Sequence, residues 1–126
     1  MYEIRVRGRF SSAHHLDGYD GMCSSVHGHN WEVEVHIRGN KLNRTGILLD
    51  FREAKKILAE VLAELDHKEL NNLKPFHRKN PTSENIAKYI YEKLSRAIDC
   101  RAYRIYCVTV HETPETQASY YGVGKK

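Results

Sequence analysis

Two stretches near the start of the chain alternate between apolar and polar residues, and histidines continue the apolar parity at the end of each. Tyr2, Ile4, Val6 and Phe10 fall on one side of residues 2–12, with Glu3, Arg5, Arg7 and Arg9 on the other. In residues 29–38, Trp31, Val33, Val35 and Ile37 oppose Glu32, Glu34, His36 and Arg38. Period-two alternation marks a strand with one buried and one wet face. Residues 16–26, with Asp17-Gly18-Tyr19-Asp20-Gly21 and Ser24-Ser25, read as the joining loop. An antiparallel return through that loop sets His14 beside His27 and His29, which share a face because they are two apart. Three imidazoles converging at a sheet surface make a three-ligand metal site. Such a site keeps one position open for water or substrate, as catalytic zinc does and structural zinc does not. Imidazole suits zinc, although ligand type alone leaves copper, nickel and iron open. His15 competes with His14 for the third place, and strand parity favours His14.

The rest of the chain separates helices from strands. Asp50-Phe51-Arg52-Glu53 has the pattern of a capping box, with Asp50 as N-cap and Glu53 reaching back. Phe51, Ala54, Ile57, Leu58, Val61, Leu62 and Leu65 follow at helical spacing. Pro81-Thr82-Ser83-Glu84 starts a second helix, continued by Ile86, Tyr89, Ile90, Leu94 and Ala97. Residues 103–111 are β-branched and aromatic and predict a third strand. Thr113-Pro114-Glu115 turns the chain into a fourth strand, Gln117 to Tyr121. The order β-β-α-α-β-β implies an α+β fold: a four-stranded antiparallel sheet with two helices on one face. Its two open edges invite pairing with further copies.

Bulk composition narrows the function classes. The 126 residues fit one domain, 1–126, and 40% are apolar, as in an ordinary globular chain. No apolar run approaches the ~20 residues of a membrane span. The start, Met1-Tyr2-Glu3-Ile4-Arg5-Val6-Arg7, reads as a strand and not as a signal peptide. Cys23, Cys100 and Cys107 are an odd count, read as reduced thiols in a cytoplasm. The net charge of +4 is scattered, which disfavours nucleic acid as a partner and still helps to capture a small anion.

Three further groups carry chemistry with open readings. Cys23 is a fourth metal ligand, a buried hydrophobe or a reactive thiolate. Asp66-His67 is either a surface pair at a helix end or an imidazole tuned for proton transfer by its carboxylate. Glu112, after a run of strand residues, is either solvated or able to accept two hydrogen bonds from a flat amidine-like ring edge. Cys100, Cys107, His36 and His77 read as structural or surface residues.

Taken together, Ala13-His14-x-Leu16, Cys23-x-x-x-His27-Gly28-His29, Leu49-Asp50-Phe51, Leu65-Asp66-His67-x-x-Leu70-Asn71, Pro81-Thr82-Ser83-Glu84-Asn85 and His111-Glu112-Thr113 resemble the 6-pyruvoyl-tetrahydropterin synthase family. That family includes the 6-carboxytetrahydropterin synthases of the queuosine pathway. The resemblance implies a tunnelling fold, in which sheets of several subunits join into a barrel with helices outside. It implies a homo-hexamer, a dimer of trimers, with active sites at subunit interfaces. It implies zinc on His14, His27 and His29, an acid–base set of Cys23, Asp66 and His67, and a pterin ring anchored by Glu112 beside Thr82 and Ser83. His15 stands where the family has arginine. The three residues between Cys23 and His27 resemble the short loop of the 6-carboxytetrahydropterin synthases. The absence of Glu from residues 17–26 disfavours the subgroup that cleaves the side chain for folate synthesis. The implied substrate is 7,8-dihydroneopterin triphosphate. The implied products are 6-carboxytetrahydropterin, acetaldehyde and triphosphate. Formation of 6-pyruvoyl-tetrahydropterin on the same site and a non-catalytic zinc or pterin-binding module are the alternatives.

Overall fold

The two alternating stretches pair along their whole length. β1 (Tyr2–His14) and β2 (His27–Gly39) run antiparallel, from Tyr2 opposite Gly39 to His14 opposite His27. Both strands run on to the histidines, past the limits of the apolar alternation. β3 (Tyr103–Thr113) pairs with β2, and β4 (Thr116–Tyr121) with β3, giving a four-stranded antiparallel sheet in sequence order. This computed structural model describes residues 1–19, 21 and 24–122.

Two helices, α1 (Phe51–Ala63) and α2 (Ser83–Ile98), lie on one face, α1 against β1 and α2 against β3 and β4. The Asp50 carboxylate caps α1 by accepting from the Arg52 N–H at 2.8 Å. Glu53 makes no return bond to Asp50 among the described residues, so the predicted capping box is only half formed. Phe51, expected on the apolar stripe, is exposed on the first turn, while Ala54, Leu58, Val61 and Leu62 face the sheet. Thr82 caps α2 through the Asn85 N–H at 3.1 Å. Ile86, Ala87, Ile90, Leu94 and Ile98 then complete the core against Val33, Val35, Ile37, Ile105, Val108 and Val110. Gly8 interrupts the apolar parity of β1 for a steric reason: a Cβ there would lie 2.8 Å from Leu62 Cδ1, so α1 rests directly on the strand.

The opposite face of the sheet is a ladder of charge. Arg38 bonds Glu3 at 2.7 Å and Arg7 bonds Glu34 at 2.7 Å. His36, read from sequence as a surface or structural residue, bridges Glu3 and Glu34 at 3.3 and 2.7 Å. Burial works to raise the Glu3 carboxyl, but hydrogen bonds from Arg38 and Arg5 outweigh it and hold the group at about 2. At the far end of β1 the outer edge is occupied by the segment after α1. Ser11 O accepts from His67 N–H at 2.6 Å, and Ala13 N–H donates to Lys68 O at 2.9 Å. Among the described residues no helix is long and apolar enough to cross a membrane.

Candidate metal centre

His14, His27 and His29 meet where β1 ends and β2 begins, on the helix side of the sheet. One ring nitrogen of each lies within 4.8 Å of the others, and the three form the metal-competent group among the described residues. Ring centroids stand 4.7 Å apart for His14 and His27, 5.3 Å for His14 and His29, and 4.8 Å for His27 and His29. The antiparallel register makes this convergence, because it sets His14 opposite His27 and leaves His29 one pleat further on.

Backbone carbonyls orient two of the rings. His14 Nδ1 lies 2.7 Å from the Pro81 carbonyl, just before the N-cap of α2, and His27 Nδ1 lies 2.7 Å from the Ser25 carbonyl. A carbonyl only accepts, so the proton sits on Nδ1 and Nε2 is left with its lone pair. Burial holds His14 and His29 below the ordinary imidazole value of 6.5, which keeps them neutral and able to bind a metal. The Nε2 atoms of His14 and His29 are buried without a hydrogen-bond partner. Two buried, neutral nitrogens aimed at one point, with no protein donor to satisfy them, fit a cation in the middle.

Trp31 forms the floor. It is fully buried, stacks on Phe10 at 5.0 Å, and meets His14 and His29 edge-on at 5.0 and 5.1 Å. Parity placed it on the apolar face, two residues beyond His29, and its contact with the ligand rings is an addition from the structure. The Pro81 and Ser25 carbonyls are likewise additions, as backbone groups leave no side-chain signal in a sequence.

Glu112 faces the histidines. A register shift between His111 and Thr113 leaves it without a β4 partner, and Oε1 lies 3.5 Å from His14 Nε2 and 3.6 Å from His29 Nε2. Beside it a cavity of about 390 Å³ is lined by Arg9, Asn30, Trp31, Glu32, His111, Glu112, Thr113 and Pro114. Thr82 spends its hydroxyl oxygen on the α2 cap, and Ser83 opens the helix next to it. Both are tied to the centre through Pro81.

Asp66 and His67 are held elsewhere. Asp66 Oδ1 accepts from Ser11 N–H at 2.8 Å, and Oδ2 lies 2.9 Å from His67 Nδ1. The Ser11 amide and His67 keep the Asp66 carboxyl below its usual range. His67 has φ of 54°, in the left-handed region, and its side chain is 83% exposed. Non-glycine residues in that region are uncommon and cost energy unless their surroundings fix them. Among the described residues neither Asp66 nor His67 bonds to any of the three imidazoles. His15 stays out of the cluster too: Asn71 grips its backbone N–H and carbonyl at 2.9 and 3.0 Å, and its ring lies 3.2 Å from Asp17. Cys23 lies outside the described residues.

Comparison with known proteins agrees with this geometry. The model of the family described as 6-pyruvoyl tetrahydropterin synthase matches residues 3–123. An Archaeoglobus fulgidus protein provisionally named a 6-carboxy-5,6,7,8-tetrahydropterin synthase is 39% identical over 103 residues, covering 81% of this chain and 84% of its own. The Bacillus subtilis 6-carboxy-5,6,7,8-tetrahydropterin synthase is 32% identical over 126 residues, covering 94% and 84%. The structure of the Caenorhabditis elegans 6-pyruvoyl tetrahydropterin synthase superimposes with a TM-score of 0.87 at 31% identity, covering 96% of this chain and 95% of that one. With the match running through both strands that carry the histidines and the strand that carries Glu112, the chain belongs to the 6-pyruvoyl tetrahydropterin synthase family.

Proposed function

We propose that this protein is a zinc-dependent 6-carboxy-5,6,7,8-tetrahydropterin synthase acting on 7,8-dihydroneopterin triphosphate. The observation that carries the reading is the convergence of the His14, His27 and His29 imidazoles, two of them oriented by backbone carbonyls, with the Glu112 carboxylate beside His14 and His29, in a member of this family. The short Cys23-to-His27 spacing and the names of the two relatives favour the 6-carboxy product.

His14, His27 and His29 would hold zinc, which would supply Lewis acidity to the substrate's side-chain oxygens. Glu112 accepts hydrogen bonds from the 2-amino and ring N–H groups of the pterin. Cys23, as a thiolate, takes a side-chain proton. His67, its Nδ1 held by Asp66, shuttles a second one through the free Nε2. The His67 side chain is 83% exposed in its own chain, so it serves the site of a neighbouring subunit in a hexamer whose sheets join at their open edges. The overall positive charge draws the triphosphate. The setting is the cytoplasm, in 7-deazapurine biosynthesis.

The test is to incubate the zinc-loaded protein with 7,8-dihydroneopterin triphosphate and identify the products by mass spectrometry. A carboxylated tetrahydropterin with acetaldehyde and triphosphate supports the reading. A pyruvoyl product moves the protein to the second reading, 6-pyruvoyl-tetrahydropterin synthesis on the same site. No turnover with a metal-loaded, assembled protein contradicts both.

A further inference from the structure

One contact at the metal centre makes no sense between protein atoms alone. The carbonyl of Pro81 fixes the proton of His14 on Nδ1, so a lone pair on Nε2 faces Glu112 Oε1 across 3.5 Å. His29 Nε2 faces the same oxygen at 3.6 Å, and neither nitrogen has a hydrogen-bond partner. For His14 this sets an acceptor opposite an acceptor beside a half-buried carboxylate, which is repulsive unless a cation lies between them.

The distances suggest which kind of cation. With metal–ligand bonds of ~2.0–2.2 Å, neighbouring ligand atoms on a tetrahedron stand ~3.3–3.6 Å apart. The carboxylate oxygen stands at that separation from two of the three imidazoles. It is longer than a charge-assisted hydrogen bond, which is ~2.7–2.9 Å.

We propose that in the substrate-free protein Glu112 Oε1 is the fourth metal ligand and closes the centre. The carboxylate leaves the metal when a flat ring offering paired N–H donors arrives. A carboxylate bound to the metal has fewer lone pairs for a ring edge, so ring recognition and opening of the metal are coupled through one side chain. Its hairpin position suits such a swing: Glu112 has no ladder partner on β4 and borders the cavity. The coupling to a pterin rests on the proposed function; the ligation itself does not.

The test uses the full-length protein loaded with Co2+ or Zn2+, without substrate. Zn2+ affinity is measured by chelator competition for the wild type, Glu112→Gln and Glu112→Ala. Azide binding to the Co2+ forms is followed in the visible spectrum. Folding of each variant is checked by thermal melting, and Gln keeps the shape of Glu should Ala disturb the hairpin. The proposal expects both variants to bind Zn2+ more weakly by about 10-fold or more. It expects the wild type to resist azide, and both variants to take it up at concentrations at least tenfold lower. Adding 7,8-dihydroneopterin, which lacks the triphosphate, to the wild type is expected to raise azide affinity or change the Co2+ bands. Equal Zn2+ affinity and equal azide binding in all three proteins overturns the ligation. Absence of wild-type turnover on the triphosphate substrate, with these metal results as expected, sinks the proposed reaction and leaves the ligation standing. Normal turnover with the equal metal results does the reverse.

Discussion

The histidine cluster and the Asp66–His67 pair lie at the same end of β1, yet they are built in opposite ways. His14 is buried and His27 and His29 are half-buried, the rings pack on one another, two of them meet Trp31, and backbone carbonyls orient two. Asp66–His67 is clamped to the Ser11 backbone by the Asp66 carboxylate and the His67 N–H, while the imidazole that ends it is 83% exposed. The metal-competent cluster is therefore drawn from one chain. The His67 imidazole, to which we assign proton transfer, is anchored at its backbone and exposed at its ring. A ligand set must be preorganised against the mutual repulsion of its lone pairs, and burial in a packed core does that. A proton shuttle must reach a partner, and an exposed imidazole on a segment anchored to the edge of β1 suits the role we propose for it.

The largest effect expected on this contrast comes from the cluster. His27→Ala should weaken Zn2+ binding by more than about 100-fold, beyond what loss of a partner around the ligands costs. Chelator competition reads this, and near-normal affinity would mean that the three rings are not the ligands. Replacing the exposed half should do the opposite. His67→Ala should lower kcat by about 10²–10⁴-fold and leave Zn2+ affinity unchanged. A variant that loses metal would place His67 in the centre and remove the contrast.

Next in size is the support beneath the rings. Trp31→Ala should cost about 3–5 kcal/mol of stability, the usual range for a buried aromatic, seen as a lower Tm or denaturant midpoint. Trp31→Phe should cost less and still weaken the metal by loosening His14 and His29. An Ala variant as stable as the wild type would show that the floor carries no packing energy.

The smallest effect is on pH. Burial holds His14 and His29 below 6.5, so the folded metal-free chain binds fewer protons than the unfolded one once pH falls under that value. Stability without metal should therefore drop as pH falls from about 7 through the depressed values of these rings. Metal should also be retained below pH 6.5, where ordinary imidazoles begin to protonate. Denaturant melts and zinc release between pH 7.5 and about 5 check both. At lower pH, from 4.5 toward about 2, protonation of Glu3 should remove the ion pairs of the wet face as well. Stability that rises on acidification in the upper window would contradict the burial of the cluster.

Much of this was legible from parity. The alternation of Tyr2 to Phe10 and of Trp31 to Ile37 located two strands, their buried faces and the shared face of the histidines, because a one-residue slip would turn every side chain of a strand to the wrong face. Helix order, the cap at Asp50 and the helix start at Pro81-Thr82-Ser83-Glu84 followed from spacing, and Thr82 as the cap came from the structure. What escaped was carried by backbone and by distance. The Pro81 and Ser25 carbonyls have no sequence signature. The left-handed turn at His67 is imposed by its bonds to β1, and residue type would not suggest it. Glu112 was visible as a carboxylate near a turn, but its direction depends on the register shift between His111 and Thr113. The return bond expected of Glu53 failed because a capping pattern states an option and not an obligation.

Mixing two inactive variants tests the division of labour most directly. His27→Ala removes the metal half and His67→Ala the proton-transferring half, and the two proteins are unfolded, combined in equal amounts and refolded together. If each site takes its metal from one chain and its His67 from another, roughly a quarter of the sites in a randomly mixed symmetric assembly regain both halves, and turnover returns to about that level. Turnover that stays at the sum of the two separate variants would contradict the account, and would mean that one chain supplies both halves of its own site.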